Sequence, residues 1–250
     1  MHCYGITDIG KIRSINEDSY AFKTISDDIV AAVVADGMGG HNAGEVASSF
    51  ATQEIIRLIE GAHKYFSGYT DKQIGNFLKN AVNKISKAVY NMSLESKDKS
   101  GMGTTMVVCI AYNQKCYIAN VGDSRFYKYN GELLQITKDH SYVSELVEMG
   151  AITAEEAKNH PNRNVITKAV GTEPSVIPDI FIEKINSDDM FILCSDGLSG
   201  LVCDKDILNV ISSDISPDAI PQKLAELANQ NGGKDNITVV LLDGKNGGGM

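Results

Sequence analysis

The chain has 250 residues, enough for one large domain or two small ones, and its 43% hydrophobic and 22% charged residues are the balance of a globular protein in water. A formal net charge of −9 argues against nucleic acid as the main partner, because a phosphate backbone calls for a basic face. No apolar run approaches the roughly 20 residues of a membrane span, so no membrane partner is expected.

Residues 4–8 and 19–24 read as short strands. Between them, Gly10-Lys11-Ile12-Arg13-Ser14-Ile15-Asn16-Glu17-Asp18 joins Arg13 to two adjacent carboxylates, which taken alone is an ordinary surface ion pair. Residues 29–35 are continuously apolar and run into Asp36-Gly37-Met38-Gly39-Gly40. An apolar run closed by turn residues reads as a strand buried on both faces. Its terminal carboxylate then stands at the edge of a core, and the glycines leave room for a ligand at main-chain oxygens. Two helices follow, over residues 44–61 and 71–94, with Asp71 as the expected N-cap of the second. Each has one apolar stripe, as expected of an antiparallel pair lying on a sheet.

Residues 96–103 are a polar loop. Closely spaced strands then occupy 104–111, 115–121, 125–129 and 132–136, with Asn130-Gly131 as a strong two-residue hairpin turn and Asn113-Gln114 as a weaker one. Short turns between strands mean antiparallel pairing. Residues 137–171 break the pattern with two short helices, near 142–149 and 153–160, and an irregular stretch over 160–164. Strands return at 178–184 and 190–194. Helices are expected over 204–212 and from Pro217 to about residue 231, with Ser216 as N-cap. A last strand covers 237–242, and 244–250 reads as a frayed tail. The layout is one α+β domain with strands in two groups and helices outside.

The device at Asp36 recurs. Residues 191–194 lead to Ser195-Asp196-Gly197, residues 116–121 lead to Gly122-Asp123, and Asp235-Asn236 opens the last strand. Four strand ends that each carry an aspartate suggest a carboxylate cluster built for hard divalent cations. The five cysteines are odd in number and scattered, without CxxC pairs, and read as buried reduced thiols. With no signal peptide evident in Met1–Gly5, a cytoplasmic protein is expected.

The full set of motifs is Arg13-Ser14-Ile15-Asn16-Glu17-Asp18, Asp36-Gly37-Met38-Gly39-Gly40-His41, Gly101-Met102-Gly103-Thr104-Thr105, Val121-Gly122-Asp123-Ser124-Arg125, Ser195-Asp196-Gly197-Leu198 and Gly233-Lys234-Asp235-Asn236-Ile237-Thr238. In this order the set resembles the metal-dependent serine/threonine protein phosphatases of type 2C, the PPM family, in their compact bacterial form. The resemblance spans nearly the whole chain. It implies a four-layer αββα sandwich, with two packed antiparallel sheets flanked by antiparallel helix pairs. It also implies a single phosphatase domain over 1–243 with a small helical flap at about 144–171.

By the same resemblance the cofactors are two Mn²⁺ or Mg²⁺ ions and a weaker third. Asp36 would bridge the core pair, the Gly37 carbonyl would serve the second ion, and Asp196 and Asp235 would hold the first. Glu17 and Asp18 would act through bound waters, and Asp123 with Asp196 would hold the third ion. The water between the core ions would attack phosphorus in line, with Arg13 binding the phosphate oxygens. Arg13, Asp36, Asp196 and Asp235 are thus the expected catalytic set. Partners would be phosphoserine and phosphothreonine proteins, including a cognate serine/threonine kinase that the enzyme opposes, and the enzyme would be a monomer.

Gly101, Gly103 and Thr104 would shape a loop beside the site, His140 would be a structural histidine, and Arg125 would pair with a carboxylate. Where many eukaryotic members carry a histidine after Asp-Gly, this chain has Met38, which cannot donate a proton. A metal-bound water, or more weakly His41, is the substitute. Flap residues such as Asn162 and Arg163 are expected to affect phosphoproteins more than small aryl phosphates. The alternatives are a non-catalytic phosphoprotein-binding pseudophosphatase, a different two-metal hydrolase such as a nuclease, and a structural calcium module. The intact set of aspartates, the acidic charge and the lack of an EF-hand-like loop speak against them in turn.

Overall fold

The computed structural model describes residues 1–39 and 43–244. In chain order the strands and helices are β1 (His2–Asp8), β2 (Asp18–Ser26), β3 (Ile29–Met38), α1 (Ala43–Ala62), α2 (Asp71–Ser93), β4 (Gly103–Thr104), β5 (Met106–Tyr112), β6 (Lys115–Val121), β7 (Arg125–Tyr129), β8 (Leu133–Gln135), α3 (Tyr142–Glu148), α4 (Ala154–Lys158), β9 (Asp179–Lys184), β10 (Met190–Cys194), α5 (Asp196–Ser199), α6 (Asp204–Ile211), α7 (Ile220–Gln230) and β11 (Ile237–Asp243). Pairing is antiparallel throughout. One sheet runs β2-β3-β5-β6-β9, with β4 on β3, and the other runs β1-β11-β10-β7-β8.

The period-2 alternation of side chains explains why the central strands are apolar without a break. On β3, Val30, Ala32 and Val34 face the second sheet and meet Phe126, Phe191, Leu193 and Val240. Ile29, Ala31 and Val33 face the other way, onto Ala47, Ala51 and Ile55 of α1 and Leu78 and Ile85 of α2. On β11, Val239 and Leu241 meet Leu224 and Ala228 of α7. Three apolar cores therefore separate four layers, and the αββα expectation holds. Among the described residues no helix is long and apolar enough to cross a membrane.

Several local expectations are corrected. The N-cap of α2 is Thr70: its hydroxyl accepts from the Gln73 N–H at 3.4 Å, while Gln73 Oε1 accepts from the Thr70 N–H at 2.9 Å. Asp71 instead accepts from Lys115 Nζ at 2.6 Å and the Tyr117 hydroxyl at 2.7 Å, which ties α2 to β6. The tight two-residue hairpin is Asn113-Gln114, with φ of 49° and 56°, the left-handed pair that a type I′ turn requires. Asn130-Gly131 sits in a three-residue loop, since Tyr129 pairs with Leu133. Ser216 makes no side-chain cap, and a 3-10 turn at Pro217–Ala219 precedes α7. Cys203 is exposed rather than buried, whereas burial pushes the Cys194 thiol up to about 12. Gly40, His41 and 245–250 lie outside the described residues.

Lys128 of β7 fastens the two sheets to each other. Its buried ammonium donates to the Lys184 carbonyl of β9 at 2.7 Å and meets Asp189 at 3.1 Å.

Candidate metal centre

The strand ends meet at one edge of the sandwich. Asp36, at the end of β3, is held from both sides of its peptide. Its N–H donates to Thr105 Oγ1 at 2.9 Å, and its carbonyl accepts from the Thr105 N–H at 2.8 Å and Thr104 Oγ1 at 2.9 Å. Asp18 stands opposite Asp36 in the β2–β3 register. Its Oδ2 accepts from Ser195 Oγ at 2.7 Å, and Ser195 Oγ accepts in turn from the Thr238 N–H at 3.0 Å. One hydroxyl thus joins β2, β10 and β11 directly beneath Asp196.

Asn236 is the other fastener. Its Oδ1 accepts from the Glu17 N–H at 2.9 Å, and its Nδ2 donates to the carbonyls of Ile9 and Ile15 at 3.0 Å each. The loop carrying Arg13 and Glu17 is thereby fixed to the segment carrying Asp235, and Arg13 Nη2 reaches Asp235 Oδ2 at 2.8 Å. Glu17 lies at the start of α1, where the Gly44 N–H donates to its carboxylate. Gly44 and Gly37 are packed so closely that a Cβ on Gly44 would strike Glu17, and one on Gly37 would strike the carbonyls of Gly44 and Glu17. Glycine is required at both by the approach of backbone to backbone.

The electrostatics are those of a site short of positive charge. Burial first, then repulsion from Asp18, Asp196, Asp123 and Asp235, holds the Asp36 carboxyl well above its usual range. Burial and Asp235 raise Asp196, although a hydrogen bond shared with Asp36 opposes this. Asp18 is raised by burial, against the hydrogen bonds from Ser195 and Thr238. Glu17 is raised by burial, against the attraction of Arg13. Buried carboxylates crowded in this way call for a cation.

Two of the oxygens, Asp18 Oδ1 and Asp196 Oδ1, are buried with no hydrogen-bond partner among the described residues. An unpaired buried acceptor is costly, and a bound ion would relieve it. Among the described residues no three His, Cys, Asp or Glu side chains enclose one ion by themselves. Mg²⁺ and Mn²⁺ take oxygen ligands and fill out an octahedron with main-chain oxygen and water. The residues present fit such a group.

Asp123 follows β6, and burial first, then repulsion from Asp196 and Asp139, raises its carboxyl. Behind it Arg125 is bidentate with Asp139, at 3.0 and 2.8 Å. The Gly122 N–H donates to His140 Nδ1 at 3.1 Å, so Arg125 and His140 are structural, as expected. Thr104 and Gly103 pair with Gly37 and Met38, which puts that loop against the Asp36 end of β3. A cleft of about 790 Å³ opens from Asp123, Asp196 and Asp235 toward the inner faces of α3 and α4, where Val143, Val147 and Ala157 line it. Asn162 is exposed and Arg163 lines the same cleft. Sequence reasoning gave no role to Ser195, Asn236 or Thr105. The signal available was their position next to Asp196 and Asp235 and in the loop opposite Asp36.

The sequence profile described as Protein phosphatase 2C matches residues 12–237. The serine/threonine phosphatase stp of Listeria welshimeri is 38% identical over 245 residues, which cover 97% of this chain and 96% of that protein. The crystal structure of the serine/threonine phosphatase Stp1 from Staphylococcus aureus is 40% identical and superposes with a TM-score of 0.89 over 96% of this chain and 93% of that one. The catalytic domain of the serine threonine protein phosphatase PstP, solved in complex with two manganese ions, is 34% identical with a TM-score of 0.80 over 97% of both chains.

Proposed function

The chain belongs to the protein phosphatase 2C family, and on that footing we propose that it removes phosphate from phosphoserine and phosphothreonine in proteins. The observation that carries this is the convergence of Asp18, Asp36, Asp123, Asp196 and Asp235 on one buried locality, with the Arg13 guanidinium at its mouth. Asp36, the Gly37 carbonyl, Asp196 and Asp235 would hold two core ions, Mn²⁺ or Mg²⁺. Glu17 and Asp18 would support them, and Asp123 with Asp196 would take a weaker third. Divalent ions bound there supply the Lewis acidity that makes water nucleophilic at neutral pH and offsets the charge of a phosphate dianion.

The protein's own residues do the rest. Ser195 and Asn236 keep the carboxylates and Arg13 in register. Arg13 turns its planar fork from Asp235 to the phosphate oxygens, whose geometry it matches. Met38 offers no proton, so the side chain after Asp36-Gly37 leaves protonation of the leaving alkoxide to other groups. The unit is a single domain over 1–243 whose flap, about 144–171, borders the cleft and meets the phosphoprotein. The enzyme acts in the cytoplasm as a monomer and opposes a serine/threonine kinase, which is itself among its substrates. No observation favours the non-catalytic alternative, since no carboxylate of the set is missing.

The test is phosphate release from a phosphothreonine peptide, from p-nitrophenyl phosphate and from a phosphodiester in the presence of Mn²⁺. The two monoesters are hydrolysed and the diester is not. Diester cleavage with inert monoesters would make the chain a nuclease-type hydrolase instead. Arg13→Ala raises KM for the phosphopeptide by roughly ten- to a hundredfold, the worth of a charge-assisted pair of hydrogen bonds. An unchanged KM would return Arg13 to the surface ion pair seen with Asp235.

A further inference from the structure

Beside the phosphate-binding arginine lie two lysines that the reaction does not use. Lys234 directly precedes Asp235 and lines the cleft along with Asp196 and Asp235. Lys11 stands two residues before Arg13. Its N–H donates to the Gly233 carbonyl at 2.7 Å, and its Cγ lies 3.1 Å from where a Cβ on Gly233 would be. Both lysines are exposed. Among the described residues neither ammonium is in an ion pair or hydrogen bond with a carboxylate.

The backbone beneath them is rigid. Gly10 has φ +80° and Gly233 has φ +53°. A Cβ on Gly10 would strike the Asp235 carbonyl, and one on Gly233 would strike Asn229. Asn236 pins Ile9 and Ile15 on the same side. The backbone that carries the two lysines is therefore held in place, while their exposed ammonium groups stay free to reach an anion.

The charges facing the pair favour an anionic ligand. Of the acids lining the cleft, Asp139 is taken by Arg125 and Glu148 by Lys138. Asp204 accepts from the Tyr127 hydroxyl at 3.1 Å. Asp123, Asp196 and Asp235 are the cation holders of the reading above. A substrate whose phosphate reaches Arg13 brings its flanking residues toward Lys234 in the cleft wall and Lys11 next to it.

We infer that Lys11 and Lys234 form an anion subsite that selects substrates carrying a negative side chain, carboxylate or second phosphate, close in sequence to the phosphoresidue being hydrolysed. This rests on the phosphatase reading. The anion makes ion pairs only, no bond forms or breaks there, and the subsite acts on kcat/KM for peptides and not on small aryl phosphates, which do not reach it. Ile12, 71% exposed between Lys11 and Arg13, offers an apolar contact to the same flanking segment.

The experiment compares phosphothreonine peptides with neutral flanks, with glutamates on both sides, and with a second phosphothreonine. They are assayed on the Mn²⁺-loaded wild type, on a double variant Lys11→Gln with Lys234→Gln, and on a double variant Lys11→Arg with Lys234→Arg. p-Nitrophenyl phosphate is the control. The wild type prefers each anionic peptide by roughly fivefold, as two exposed ion pairs allow, and the preference shrinks as salt rises. The glutamine variant loses it with p-nitrophenyl phosphate turnover unchanged, and the arginine variant keeps it. The anionic peptide with the larger preference identifies the source of the anion. Equal rates on all peptides, or a preference that survives in the glutamine variant, would overturn the subsite while leaving the phosphatase reading intact. A wild type that releases no phosphate from any peptide would overturn that reading, and the subsite with it.

Discussion

Asp36→Asn is expected to lose at least about a thousandfold in kcat, because on the proposed reading its carboxylate would contact both ions, whose stabilisation of transition-state charge is worth several kcal/mol. The fold should survive. Three of the hydrogen bonds that hold Asp36 join its own N–H and carbonyl to Thr104 and Thr105, and none of these uses its carboxylate. The metal-free variant should be no less stable than metal-free wild type, since the change removes a buried carboxylate from among Asp18, Asp123, Asp196 and Asp235. What should vanish is the rise in Tm on adding Mn²⁺, which in the wild type follows from binding to the folded state alone. Thermal melts with chelator and with Mn²⁺, alongside turnover, check both halves. A variant that melts normally and keeps its Mn²⁺ stabilisation would take Asp36 out of the metal centre.

Gly197→Ala is the largest structural effect expected from adding one methyl group. A Cβ there would fall on the carbonyl oxygen of Asn236 and crowd the Cα of Ile237. Neither neighbour can yield cheaply. Asn236 holds Glu17, Ile9 and Ile15, and Ile237 is paired in β11 and fully buried. Overpacking of this kind costs about 3 kcal/mol or more, and the shift should displace Asp196 and Asp235 together. The same change at Gly61 in α1, where an added Cβ meets nothing within 4 Å, should stabilise by about 0.5–1 kcal/mol. Denaturant midpoints for the two variants make the comparison. Equal midpoints would mean that the β10–β11 edge is softer than its packing indicates.

The layers were legible in sequence because the strands that make them are buried on both faces. Residues 29–35 could be recognised by unbroken apolar character alone, 237–242 by an apolar run broken only at Thr238, and the stripe on α2 by its helical spacing. Asp36, Asp123, Asp196 and Asp235 could be singled out because each adjoins a strand-like run, whereas Glu17 and Asp18 stood out only through the motif. What could not be read was local competition. Thr70 and Asp71 are both good caps, and the choice was made by Lys115 and Tyr117, more than 40 positions away along the chain, which draw Asp71 aside. Asn113-Gln114 adopts the tight turn, although Asn130-Gly131 has the stronger local preference, because sheet register decides the loop length. α5 has four residues, too few to show a period. The roles of Ser195 and Asn236 depend on contacts between segments about 180 and 220 residues apart, and no spacing rule within one element exposes them.

The central claim is that the converging aspartates are a cation site that drives phosphate monoester hydrolysis. Its most direct test is a calorimetric titration of chelator-treated protein with Mn²⁺, with phosphate release from a phosphothreonine peptide measured at each point. Two ions should bind tightly, activity should be absent before they do, and it should rise with their occupancy. Full turnover in the chelated protein, or a titration with no heat of Mn²⁺ binding, would contradict it.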